Sequence, residues 1–204
     1  MIGRLLAILA PPLCTACDGY AGRAGPLCAA CRAELERSAL GCSGPTWSAF
    51  SYDGPAGAIV RALKFGGRTA LADLMAAQIA ARVPPDMLTG ALVPVPLHPA
   101  RLRRRGFDQA ALIAAALARR VGVPVLPCLQ RAGDATPQMG RTRASRLSAL
   151  AGDAIRVRGA PPPRAVLVDD VVTTGATLAA CGRALREAGC RELMGITYAR
   201  TPGR

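Results

Sequence analysis

The sequence predicts an α/β fold with a parallel sheet and crossover helices, and three observations lead there. Short apolar runs alternate with longer stretches of helical periodicity along most of the chain, which is the order of βαβ units. A run at 165–168 ends in Asp169-Asp170 and passes through the turn Thr173-Thr174-Gly175-Ala176-Thr177 into a helix-like segment at 178–188. The length of 204 residues, with 51% of them apolar, fits one domain or one domain plus a small module.

The chain opens MIGRLLAILAPPLC, an apolar run too short to span a bilayer. A single Arg precedes it and no A-x-A-like cleavage site follows, so it reads as a strand or helix packed on the body rather than a signal peptide. No stretch approaches the ~18 apolar residues of a transmembrane helix. We expect a cytoplasmic protein without membrane insertion.

Four cysteines follow as Cys14-x-x-Cys17 and Cys28-x-x-Cys31, with a Gly-rich spacer between the pairs. Each pair can bend as a knuckle, and two knuckles supply the four thiolates that a structural zinc takes. Two disulfides are the rival reading, disfavoured where the compartment keeps thiols reduced. Cys42 has no partner at such spacing, and Cys128, Cys181 and Cys190 sit among apolar residues as small core fillers. Residues 1–45 are therefore read as a zinc-ribbon-like module. It is too small to hold a core of its own, so metal would contribute its folding energy.

Residues 46–204 carry the alternation. A strand is expected at 46–52, then a turn at Asp53-Gly54-Pro55. Helices follow at 56–64 and 70–82, separated by Gly66-Gly67. A buried strand at 91–95 stops at Pro96, a helix covers about 107–121, and a short strand is expected at 123–126. A polar, Arg- and Gly-rich region runs from 130 to 158 before the strand at 165–168, the helix at 178–188 and a last strand at 193–199. Trp47, Phe50 and Tyr52 offer rings for base stacking, though aromatics on a strand more often serve the core.

Charge is uneven. Residues 1–90 hold eight Lys/Arg against six Asp/Glu, and residues 91–204 hold eighteen Arg against seven Asp/Glu. Lys64 is the sole lysine. The basic half, with its run Arg101, Arg103, Arg104 and Arg105, would draw polyanionic ligands or nucleic acid.

The chemistry centres on Asp169 and Asp170. A strand–turn–helix order puts them at the carboxyl edge of a parallel sheet, where open sheets bind ligands. The turn's N–H groups and the following helix start form an anion cradle, with threonine hydroxyls as further donors. Vicinal carboxylates beside such a cradle suit a sugar phosphate: they can accept hydrogen bonds from ribose hydroxyls or hold a divalent cation.

The stretch VLVDDVVTTGAT resembles the 5-phosphoribosyl-1-pyrophosphate (PRPP) signature of type I phosphoribosyltransferases over about a dozen positions. Together with the paired C-x-x-C, Leu63-Lys64-Phe65, the segment PVPLH followed by RGFDQ, Thr136-x-Gln138 and Arg146, it resembles the ComF/GntX-type family. This is the competence protein F family of phosphoribosyltransferase-like proteins linked to competence and DNA uptake. The resemblance implies a type I phosphoribosyltransferase-like domain at 46–204 behind the cysteine module. Asp169 and Asp170 would then be the catalytic pair holding ribose hydroxyls, directly or through Mg²⁺. Thr173, Thr174, Gly175, Ala176 and Thr177 would bind the 5′-phosphate. Val95, Pro96, Leu97 and His98 would form a pyrophosphate loop, with Arg101, Arg103 and Arg105 as its charge partners. Residues 131–146 stand where a lid would close. Two departures stand out: Asp108 and Ala149 replace asparagines usual in the family, changing the donors and acceptors available there. Two functions follow from the resemblance. One is a DNA-transformation protein that binds PRPP or a related sugar phosphate with Mg²⁺, and single-stranded DNA or a DNA-uptake helicase. The alternative is an active transferase moving phosphoribose from PRPP to a nitrogen nucleophile.

Overall fold

The computed structural model describes residues 12–22, 25–131 and 155–202. The proposed lid at 131–146, Ala149, Thr136, Gln138, Arg146 and the opening apolar run at 1–11 fall almost wholly outside them.

A five-stranded sheet organises the molecule. Its strands β1 (Cys42–Ser43), β2 (Thr46–Ser51), β3 (Ala91–Pro94), β6 (Arg164–Val172) and β7 (Glu192–Arg200) lie in the order β1-β2-β7-β6-β3. All neighbours are parallel except the β1–β2 hairpin. A separate antiparallel pair, β4 (Leu129–Arg131) and β5 (Ile155–Val157), brackets the region between them. The expected α/β class with crossover helices is what the chain forms.

Two cores flank the sheet. On one, Val166, Val168 and Ile196 join α2 (Gly54–Gly66), α3 (Leu71–Ala80) and α5 (Gln109–Val121) through Ile59, Leu63, Met75, Ile113 and Leu117. On the other, Val93, Ala165 and Leu167 meet α6 (Ala176–Glu187) through Leu178, Cys181 and Leu185. Parallel strands buried on both sides need continuous apolar runs, and LVPV and AVLV supply them. Gly57 lets α2 approach the end of β2, because a Cβ there would stand 2.2 Å from the Tyr52 carbonyl.

The cysteine module does not stand apart. Its helix α1 (Ala29–Arg37) carries Leu35, and with Leu27, Cys14 and Cys31 this residue lies in the same core as Trp47 and Ile59. Arg82 pairs with Glu36 across that junction.

Several expectations are corrected. The strand at 123–126 reduces to one bridge, Val125 to Leu92, with Leu92 N donating to Pro124 O and Leu126 N to Leu92 O. Pro124 and Pro127 lack N–H groups, so no longer ladder can form. The motif strand does not stop at Val168: β6 continues through both acids to Val172, because β7 pairs with it as far as Arg200. The Arg-rich loop after β3 coils into α4 (Pro99–Arg105), with Pro99 at its first position. Cys128, Cys181 and Cys190 are buried core thiols, as expected, and Trp47 and Phe50 are buried in the core as well.

Candidate functional site

The strand ends open on a cavity of about 370 Å³. Pro96 and Leu97 from the β3 loop line it, with Arg101 from α4, Asp169 and Asp170 from β6, Thr173 and Thr177 from the turn, and Lys64, Tyr52, Gln109, Arg131 and Thr201. A smaller recess of about 50 Å³ adjoins it, formed by Asp169 and residues 171–178.

Both acids reach this cavity because the strand's alternation slips there. Val166 and Val168 belong to one core and Ala165 and Leu167 to the other, yet beyond the acids Val171 joins the first and Val172 the second. The pairing register with β7 is unchanged, with Asp169 opposite Thr197 and Val171 opposite Ala199. The pairing of β3 ends opposite Val168, and the loop that follows it, with Pro96 and Leu97, lines the cavity together with the acids.

Asp170 is buried, at 2% exposure. Lys64 Nζ, from the last turn of α2, stands 2.8 Å from its Oδ2. The approach lies outside hydrogen-bond geometry, so the contact is ionic. Asp169 is half-buried, and its Oδ1 accepts the Asp170 N–H at 2.8 Å. Burial, then the charge of Asp170, holds the Asp169 carboxyl well above the ordinary carboxylate range, and Lys64 only partly offsets this.

The turn after β6 presents hydroxyls and a left-handed glycine. Thr173, Thr174 and Ala176 are exposed, and Gly175 adopts φ 75°, a left-handed conformation that side chains resist. That conformation starts α6, whose first turn borders the recess, with Ala176 N donating to Thr174 Oγ1 at 3.4 Å. Arg131 Nη2 donates to Thr177 Oγ1 at 3.3 Å and brings a cation to the turn's far side.

The loop after β3 is held by Asp108. Its Oδ1 accepts from Ala110 N and Ala111 N, at 2.9 and 3.2 Å, and its Oδ2 accepts from Leu97 N at 3.0 Å. All its partners are donors, which a carboxylate satisfies with both oxygens.

Of the residues expected in the pyrophosphate loop, Val95, Pro96, Leu97 and Arg101 line the cavity, while His98, Arg103 and Arg105 do not. His98 caps α4, its Nδ1 accepting from Ala100 N. Arg105 donates to Gln109 Oε1 and lies over the Phe65 ring at 5.7 Å. Arg103 is exposed on α4. The sequence reading did not place Lys64, Tyr52, Gln109 or Thr201 here. One signal pointed to the first: among 26 Lys and Arg residues, Lys64 alone is a lysine.

In the N-terminal module, the Sγ atoms of Cys14, Cys17, Cys28 and Cys31 all lie within 4.8 Å of one another. Cys17 and Cys28 are 3.8 Å apart, which matches the ~3.8 Å edge of a tetrahedron with ~2.3 Å metal–sulfur bonds. Burial and the three neighbouring sulfurs push the Cys31 thiol upward. Burial also opposes ionisation at Cys14, but the Cys28 N–H, 3.3 Å from its sulfur, and other backbone donors lower it to about 6. Four crowded cysteines fit a metal ion that would take them as thiolates and offset much of their charge.

An open, mostly parallel sheet with an acid pair and a hydroxyl-rich turn at its carboxyl edge, facing a polar cavity, defines an α/β protein joined to a four-cysteine knuckle. The chain is 30% identical to competence protein F of Haemophilus influenzae over 200 residues, 89% of this chain and 87% of that protein. It belongs to the competence protein F family. No family model matches. Among solved structures, the purine phosphoribosyltransferase of Pyrococcus horikoshii overlays with a TM-score of 0.39 at 15% identity, covering 64% of this chain and 82% of that one. The UMP synthase of Leishmania donovani overlays at 0.35 and 17% identity, covering 70% of this chain and 24% of that one.

Proposed function

We propose that the cleft binds PRPP or a related sugar phosphate, and that the chain works as a DNA-transformation protein built on a phosphoribosyltransferase-type site. The observation that carries this is convergence: the acid pair, the anion turn and Arg101 meet in one cavity. In this reading Asp169 and Asp170 accept hydrogen bonds from the ribose hydroxyls. Residues 173–177 take the 5′-phosphate on N–H and hydroxyl donors, and Arg101 faces the diphosphate. Mg²⁺ does not fit as a metal held by the acid pair, because Lys64 already occupies Asp170. The cysteine set holds zinc as a structural ion and points to a reducing compartment, the cytoplasm. No helix among the described residues is long and apolar enough to cross a membrane.

The exposed face of α4, with Arg101, Arg103 and Arg104, gives single-stranded DNA a phosphate-binding strip beside the cleft. A DNA-uptake helicase would meet the protein on the same strand.

A second reading, transfer of phosphoribose to a nitrogen nucleophile, draws on Tyr52, whose partly buried side chain lines the same cavity and offers a ring to a planar base.

Calorimetric titration with PRPP tests the main reading. The parent should bind it, and Asp169→Asn with Asp170→Asn should abolish binding while the fold is retained. Equal affinity in the double variant would show that the ligand lies elsewhere. Consumption of PRPP with a base acceptor, without DNA binding, would establish the second reading.

A further inference from the structure

Two adjacent carboxylates at a strand end call for a compensating cation. In this chain that cation is built in. Lys64 Nζ lies 2.8 Å from Asp170 Oδ2, and the two side chains are 22% and 3% exposed. The lysine is carried on the last turn of α2, anchored by the buried Val60 and Leu63 on either side of the helix turn, where a positive charge is also favoured by the helix dipole. Two other cations line the cavity, Arg131, which reaches Thr177, and Arg101, which is exposed, but Lys64 is the cation in contact with Asp170. Lysine differs from arginine here in kind. Its ammonium is a compact point charge that can serve one oxygen and can be displaced, whereas a guanidinium fork would clamp a carboxylate side-on. The chain uses arginine at every other basic position.

We propose that Lys64 is the resident counter-cation of the acid pair. Its ammonium fills the place from which a divalent cation would bind Asp169 and Asp170, so the carboxylates stay free of protein-bound metal and meet ligand hydroxyls directly. This role for the hydroxyls rests on the sugar-phosphate reading above. The exclusion of metal does not. A hard divalent ion takes oxygen ligands and must displace the ammonium to gain them. Removing that ammonium leaves two vicinal carboxylates, one of them buried, without the cation that now contacts Asp170.

The test is Mn²⁺ titration of the full, zinc-replete chain without any sugar phosphate, reading free Mn²⁺ by electron paramagnetic resonance. The parent should show no Mn²⁺ site that Asp170→Asn removes. Lys64→Met should gain one such site, tighter than any in the parent by roughly tenfold or more, the scale of losing a half-screened unit charge. Adding Asp170→Asn to that variant should erase the gain, and Lys64→Arg, which keeps the positive charge, should likewise gain no Mn²⁺ site whatever its other differences from lysine. Should Lys64→Met fail to fold by circular dichroism, Lys64→Gln serves in its place. The inference is overturned if the parent binds Mn²⁺ at a site lost in Asp170→Asn, or if the neutral variant folds and gains no site. PRPP titration is run separately. Failure of PRPP to bind while Mn²⁺ behaves as expected would remove the sugar-phosphate reading and leave the counter-cation standing.

Discussion

Asp108 holds Leu97: its Oδ2 accepts the Leu97 N–H at 3.0 Å while its Oδ1 caps α5 at Ala110 and Ala111. One carboxylate thereby locks the loop after β3 to the start of α5. Asp108→Asn keeps a single acceptor oxygen and turns an NH₂ toward one set of donors. It should lower unfolding stability by about 1 kcal/mol. Hydrogen exchange at the Leu97 amide should quicken in the variant. An unchanged amide would show that the loop is fixed by other contacts.

Asp169 makes stability depend on pH. The folded protein holds a proton on this carboxyl to a higher pH than the unfolded chain does, because of burial and the Asp170 charge. From the ordinary Asp range near about pH 4 up to the raised value, its contribution to stability therefore falls as pH rises, and it is level beyond. Asp169→Asn should raise the melting temperature at about pH 7.5 and change it little at about pH 4. Ligand affinity in the parent should climb over the same window, since the ionised carboxylate is the better acceptor. Thermal melts and calorimetry at the two pH values check both halves.

Metal analysis of the reduced, folded protein should give one zinc per chain. Because Leu27, Leu35 and Cys31 share a core with Trp47 and Ile59, chelation should lower the melting temperature of the whole transition rather than release a separate early one. Cys17→Ser with Cys28→Ser should reproduce that loss. A zinc content near zero in folded protein would refute the assignment.

DNA binding, if α4 carries it, should weaken steeply with salt, with a slope of roughly −0.7 per phosphate neutralised on a single strand. Arg103→Glu with Arg104→Glu should flatten that slope, since both side chains are exposed on α4. PRPP affinity should be nearly unchanged, as neither residue lines the cavity. A slope unaltered in the double variant would place the DNA elsewhere.

The sequence by itself determined the class of fold, the order strand–acid pair–turn–helix and the two C-x-x-C pairs that come together. Each of these is written in residues close together along the chain, where backbone geometry and spacing leave few alternatives. The tertiary structure decided the rest. It ended the 123–126 strand at one bridge, where prolines supply no donors, and carried β6 past the acids because β7 was long enough to pair with it. It left His98 capping a helix and brought Asp108 to Leu97. It also set Lys64 against Asp170, two residues from different halves of the chain. Such pairings depend on how α2 packs against the end of the sheet, and no local pattern of residues encodes that distance.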